Sequence, residues 1–174
     1  MLSGWDDYAS ELLINGVSSF EPIEHNGELI GFQIPEYDYK KLKLFFLSVL
    51  WRASVSTQPF FEKVSLGPHE AFIRDALLRG DPQDTDWFSV SLAKWSDHPV
   101  GAGMMNPYRT RFSGLNYYVM YLEKYIVYYK VDTRISNGFF RSIQLNDRSP
   151  LIAVSRELSS SRELQIMAGL VRNG

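Results

Sequence analysis

Leu42-Lys-Leu-Phe-Phe-Leu-Ser-Val-Leu-Trp51 is apolar at every position except Lys43 and Ser48. Wound as a helix, this stretch is apolar on nearly all sides, and a helix of that kind is buried in the middle of a fold. Asp38 supplies a carboxylate at the start, where free backbone N–H groups need an acceptor. The spacing therefore predicts a central helix from Asp38 to about Ser54. Upstream, Phe20-Glu-Pro-Ile-Glu-His25 and Glu28-Leu-Ile-Gly-Phe-Gln-Ile-Pro35 flank Asn26-Gly27. Both turn residues accept positive φ, so the three pieces read as a β-hairpin. Before the hairpin, Trp5, Tyr8, Leu12 and Leu13 share one side of a short helix, with Asp6 or Asp7 as its cap and Asn15-Gly16 at its end. Downstream, Gly67-Pro68 opens a third helix and Gly80 closes it, with Glu70 in the first turn and Arg79 in the last.

At Trp87 the period changes from helical to alternating. Trp87 to Trp95 reads as a strand, and the breaker-rich loop Ser96 to Gly103 follows. Further strands are expected at about Met104–Arg111, Leu115–Leu122, Lys124–Val131, Phe139–Leu145 and Leu151–Ser155. A last helix, from about Ser160 to Val171, would carry Leu164, Met167, Leu170 and Val171 as its apolar stripe. The expected class is α+β: helices clustered in the N-terminal half with an early β-hairpin, an antiparallel β-meander in the C-terminal half, and a C-terminal helix. With 174 residues, no repeat and no linker, residues 1–174 read as one domain.

Composition narrows the function. Cysteine is absent, which excludes disulfides, thiolate metal sites and a cysteine nucleophile, and suits a reducing compartment. The first residues are acidic where a secretory signal needs basic ones, and the most apolar run is too short and polar for a membrane span, so a cytoplasmic protein without membrane contact is expected. Residues 1–100 hold 8 Lys/Arg against 15 Asp/Glu, and residues 101–174 hold 10 against 5. Such a split can steer a partner, although two complementary halves of one fold would show it too.

No catalytic constellation stands out. His25 falls at the hairpin turn, His69 in the first turn of the third helix, and His98 in a Pro/Gly loop, none at metal-ligand spacing. No nucleophile elbow, phosphate loop or dinucleotide fingerprint is present. Asp81, Asp84 and Asp86 lack calcium-loop spacing. Arg52 complements the dipole of the central helix and can stack on Trp51; its functional alternative is a grip on phosphate or carboxylate. The expectation is a protein that is not an enzyme and needs no cofactor or metal.

Asn106 to Val131 holds seven of the ten tyrosines. With a tight turn at Glu123-Lys124, alternation places Tyr118, Met120, Leu122, Tyr125, Val127 and Tyr129 on one face. Tyr117, Val119, Tyr121, Ile126, Tyr128 and Lys130 fall on the other. The first face reads as core. The second is aromatic with a basic edge, and three readings stay open for it: ordinary packing, a protein contact, or base stacking. The candidate binding residues are Tyr117, Tyr121, Tyr128 and Lys130, with Arg109 and Arg111 beside them.

The central helix also carries a resemblance. Tyr39, Leu42 to Phe45, Ser48 to Ser56, Pro59-Phe60-Phe61 and Val64 to Glu70 resemble a family of mostly uncharacterised bacterial proteins, and Ile73-Arg74, Leu77-Leu78 and Gly80-Asp81-Pro82 continue the likeness. Longer members of that family look like HNH-type proteins, with a Cys/His metal module ahead of this scaffold. Here every cysteine is missing and no histidine stands upstream. The resemblance implies the scaffold without the nuclease-like chemistry, and no site residue carries over. It implies a small non-enzymatic protein-binding module, an inhibitor or accessory protein of a phage, mobile element or bacterial defence locus. The alternative is a nucleic-acid-binding domain using the Tyr/Arg/Lys hairpin.

Overall fold

The computed structural model describes residues 2–97, 105–136, 138–157 and 160. In chain order they form α1 (Leu2–Leu13), a 3-10 turn (Asn15–Ser19), β1 (Glu21–His25), β2 (Glu28–Ile34), α2 (Tyr39–Val55), a second 3-10 turn (Pro59–Phe61) and α3 (His69–Arg79). Then follow β3 (Val90–Trp95), β4 (Tyr108–Phe112), β5 (Leu115–Leu122), β6 (Tyr125–Lys130), α4 (Gly138–Ile143) and β7 (Leu151–Arg156). The strands make one mixed sheet in the order β1-β2-β7-β3-β6-β5-β4. Every pairing is antiparallel except β3 with β7. No helix among the described residues is long and apolar enough to cross a membrane.

Local chemistry explains the elements. Asp38 caps α2, its side chain accepting from the Lys41 N–H at 3.0 Å. Asn26 and Gly27 turn the first hairpin with φ of 53° and 79°, the left-handed pair that matches the twist of its strands. Gly80 ends α3 at φ 60°, and its N–H reaches the Leu77 carbonyl at 3.1 Å. The hairpin between β5 and β6 turns where expected, with Glu123 at φ 52°.

α2 is the center of the main core. Leu42, Leu44, Phe46, Leu47 and Leu50 have no exposed surface, and full burial of each such side chain contributes about 1.5–3 kcal/mol. They pack on the sheet face built by Val90, Leu92, Tyr118, Met120, Tyr125, Val127 and Tyr129. Two tyrosines of this face also tie the helical layer down. The Tyr125 hydroxyl donates to the Leu13 carbonyl at the end of α1 at 2.6 Å. The Tyr118 hydroxyl donates to the Ser65 carbonyl at 2.8 Å and accepts from the Ser65 N–H at 3.0 Å.

Several expectations change. α1 starts at Leu2, so Asp6 and Asp7 lie inside it rather than capping it, and Asp6 pairs with Arg52 at 3.0 Å. α1 leads into a 3-10 turn at Asn15-Gly16. β3 begins at Val90 because Phe88, at φ 45°, breaks the extended backbone before it. β4 begins only at Tyr108. The expected strand Phe139–Leu145 is instead the short helix α4, with Gln144 making an isolated bridge to Ser91. The meander β4-β5-β6 exists, but it belongs to the same sheet as the early hairpin, and β7 joins the two parts. The expected C-terminal helix lies outside the described residues beyond Ser160, as do His98 and most of the Ser96–Gly103 loop.

Candidate functional site

The second face of the sheet carries its own aromatic cluster. Ala93, Trp95, Leu115, Tyr117, Val119, Ile126 and Tyr128 are buried there, with Tyr108, Phe112, Tyr121 and Val154 packed against them. One short element, α4, lies on this face. Its Phe140 ring sits 4.9 Å from Phe112, 4.8 Å from Tyr117 and 5.6 Å from Tyr128, centroid to centroid. Offset and edge-on ring pairs of this kind add about 0.5–1.5 kcal/mol each beyond burial. α4 is only six residues long, and it leaves a groove. The groove encloses about 320 Å³ between α4 and the sheet, lined by side chains that include Tyr108, Thr110, Phe112, Tyr128, Phe139, Ile143 and Arg156.

The groove is apolar with a single cation. Arg156, at the end of β7, is the one charged residue among the described lining residues. It is held in place: its Nη1 donates to the Tyr128 hydroxyl at 3.0 Å, and its guanidinium lies 5.6 Å over the Trp95 ring. Phe139 stands on the rim with 60% of its surface exposed. A largely exposed aromatic ring at the mouth of an apolar hollow offers a contact of the kind enriched in protein interfaces.

The expected site residues divide among three environments. Tyr117 and Tyr128 do lie on the second face, but both are buried beneath Phe140 rather than presented to a partner. Burial also pushes the Tyr117 hydroxyl pKa up. Tyr121 shares their face and is half-buried against the same cluster. Lys130 has no exposed surface; its ammonium is spent on the Arg134 carbonyl. Arg109 and Arg111 are exposed on the other face, because they pair across the ladder with Tyr118 and Asn116, not with Tyr117. Arg111 Nε donates to the Asn116 side-chain oxygen at 3.2 Å. An outward tyrosine face with a basic edge therefore does not form. What forms is an inward tyrosine layer, a groove above it, and two arginines behind it.

Phe139, Phe140 and Arg156 are the residues sequence reasoning missed. Phe140 and Ile143 stand three apart, the helical spacing, and Gly138 precedes them. That signal was present, but a six-residue element is too short for its period to outweigh the strands around it.

The other polar positions are committed to structure. Asp81 and Asp84 accept from the backbone N–H groups of Gln83 and Asp86, each at 3.0 Å. The Asp86 carboxylate accepts from Gln144 Nε2 at 2.9 Å. His69 sets its ring 5.2 Å from Phe88. Among the described residues no three His, Asp or Glu side chains gather as a metal site would need. Arg52 lines a separate hollow of about 480 Å³ with Val49, Ala53, Phe60, Phe61 and Met120. Its guanidinium is occupied by Asp6 and Ser48, and Phe60 and Phe61 are half-buried, so this hollow lacks a rim aromatic like Phe139.

One buried pair is unusual. Lys43 projects from α2 into the core with no exposed surface, and its Nζ donates to the Trp87 carbonyl at 2.9 Å. Burial, reinforced by the charge of Lys130, lowers its pKa to about 7, against the opposing pull of Asp84 and Asp86. Lys130 is lowered by burial too, with Asp86 and Asp132 pulling the other way. Both amines are sealed from solvent, so they act on the stability of the fold rather than on a ligand.

Comparison with known proteins finds no matching family model, no matching curated protein and no matching solved structure.

Proposed function

We propose that this chain is a non-enzymatic protein-binding module whose groove between α4 and the second sheet face receives an apolar side chain of its partner. The observation that carries the reading is the exposed Phe139 ring at the rim of an apolar hollow floored by Tyr128 and Phe112. Binding energy in protein interfaces concentrates in a few anchors that enter such pockets. In the setting that the HNH-type resemblance implies, the partner belongs to a phage, a mobile element or a bacterial defence locus, and this chain acts as inhibitor or accessory protein. The absence of cysteine suits a reducing compartment such as the cytoplasm.

The nucleic-acid alternative needs aromatic and basic groups on one surface. Arg109 and Arg111 lie behind the tyrosine layer, which favours the protein reading. Affinity capture from the native host separates the two. A stoichiometric protein retained by the wild type and weakened about 30-fold by Phe139→Ser supports the groove, since an aromatic anchor contributes about 2 kcal/mol or more. Undiminished retention by a folded Phe139→Ser variant removes it. Co-purified nucleic acid whose binding falls steeply with salt supports the alternative.

A further inference from the structure

We propose that β4 is a receiving edge, along which an extended segment of a protein partner adds an eighth strand with acidic and apolar side chains in alternation. The proposal deepens the groove reading and rests on it.

The backbone supplies the first reason. β4 is the last strand of the sheet, and among the described residues nothing pairs with its outer side. The turn from β4 to β5 has Ser113 at φ 49° and Gly114 at φ 78°, the two-residue hairpin in which the flanking pair, here Phe112 and Leu115, exchange both hydrogen bonds. Alternation from that pair makes Arg111 and Arg109 non-bonded partners of Asn116 and Tyr118. The bonding of Asn116 agrees: its carbonyl accepts from the Val131 N–H at 2.9 Å and its own N–H reaches Asp132, both on the β6 side. The N–H and C=O groups of Arg109 and Arg111 therefore point outward, away from β5, as a template for another strand.

The opposite edge is closed to the same use. β1 contains Pro22, which has no N–H, and its ladder is interrupted between Ile23 and Glu24. Proline and bulges are the devices that prevent pairing at an edge. β4 has neither, and its five residues pair with β5 in unbroken register.

Side chains then fix the chemistry of the guest. On one face an added strand would continue the row Tyr108, Thr110 and Phe112, all of which line the groove, so every second guest residue is apolar. On the other face it would lie beside Arg109 and Arg111, both exposed, so the intervening residues are acidic. A second copy of this chain is the wrong guest, because two antiparallel β4 edges would set arginine against arginine.

The probe is a blocked octapeptide alternating glutamate with valine and phenylalanine; its control has the same composition with the glutamates grouped at one end. Amide hydrogen exchange at Arg109 and Arg111 is the readout. The alternating peptide is expected to slow both amides at least about tenfold, and the grouped peptide to leave them fast. Arg109→Pro deletes an outward N–H and leaves the ladder to β5 intact; it should weaken peptide binding about tenfold, the loss of roughly one backbone bond. Arg109→Glu with Arg111→Glu, which keeps the backbone, should do the same through charge.

Slow exchange at both amides in the free chain would overturn the proposal, as would equal protection by both peptides or failure of the alternating peptide to protect. Should Phe139→Ser abolish peptide binding while Arg109→Pro leaves it untouched, the groove stands and the eighth strand falls. Loss of the groove reading itself is seen separately, through host-partner retention by Phe139→Ser.

Discussion

Lys43 enters the core with its amine on the Trp87 carbonyl rather than on a carboxylate. The native state therefore disfavours the charged amine, and the pKa of about 7 lies well below that of an unfolded lysine, about 10.4. Between pH 7 and about 10 the unfolded chain holds a proton that the native chain lacks. Stability then rises with pH across that window, and this contribution is flat below it. Lys130 shifts in the same direction. Buried tyrosines work oppositely at higher pH. Burial pushes Tyr39 up to about 12 and raises Tyr125 and Tyr129 as well. Native tyrosines keep protons that unfolded ones lose above pH 10, so stability falls there. Urea midpoints measured from pH 7 to 11 should rise and then drop. Lys43→Met should flatten the rising limb, and an unchanged slope would mean that Lys43 titrates normally.

At the scale of the element, α4 divides its two phenylalanines between packing and display. Phe140 touches three rings of the second face, so Phe140→Ala should cost about 2–4 kcal/mol in a denaturation series. Phe139, largely exposed, should change stability by no more than about 0.5 kcal/mol on the same substitution. Equal effects would contradict the helix. The contrast also shows what could be read in advance. α2, α3, the first hairpin and the two-faced tyrosine hairpin were all legible, because each has a long period or a strong terminal signal: Asp38, Gly80, Asn26-Gly27. The division of Tyr118, Tyr125 and Tyr129 from Tyr117, Tyr121 and Tyr128 holds residue by residue. The sequence reads as a strand where α4 forms, and the cover that α4 lays over the second face goes unseen with it. Whether a strand face is open depends on what comes to lie over it, and local alternation holds no information about that cover. The edge position of Arg109 and Arg111 was hidden for a similar reason, since strand order is a long-range property.

Across the whole molecule, the charge split follows the sheet. Acidic Glu21, Glu24 and Glu28 lie in the hairpin at one edge, and Arg109 and Arg111 lie at the other. Between these ends, β7 takes the central seam, antiparallel to β2 and parallel to β3. Gly31 is the tight point of that seam: a Cβ there would meet the Ala153 carbonyl oxygen at 2.9 Å. Backbone cannot yield as a flexible side chain can, so Gly31→Ala should lower the thermal midpoint by several degrees, a loss of about 1–3 kcal/mol; an unshifted midpoint would show that the seam gives way. The seam also sets an order of assembly. β1 and β2 leave the ribosome before β7, yet their place in the sheet is offered only by residues 151–156, so the hairpin must wait with its inner edge unpaired until β7 emerges. Proline, a bulge and glutamates on the outer strand of that hairpin close its other side meanwhile, so the waiting hairpin can be extended only along β2, the edge that β7 will take.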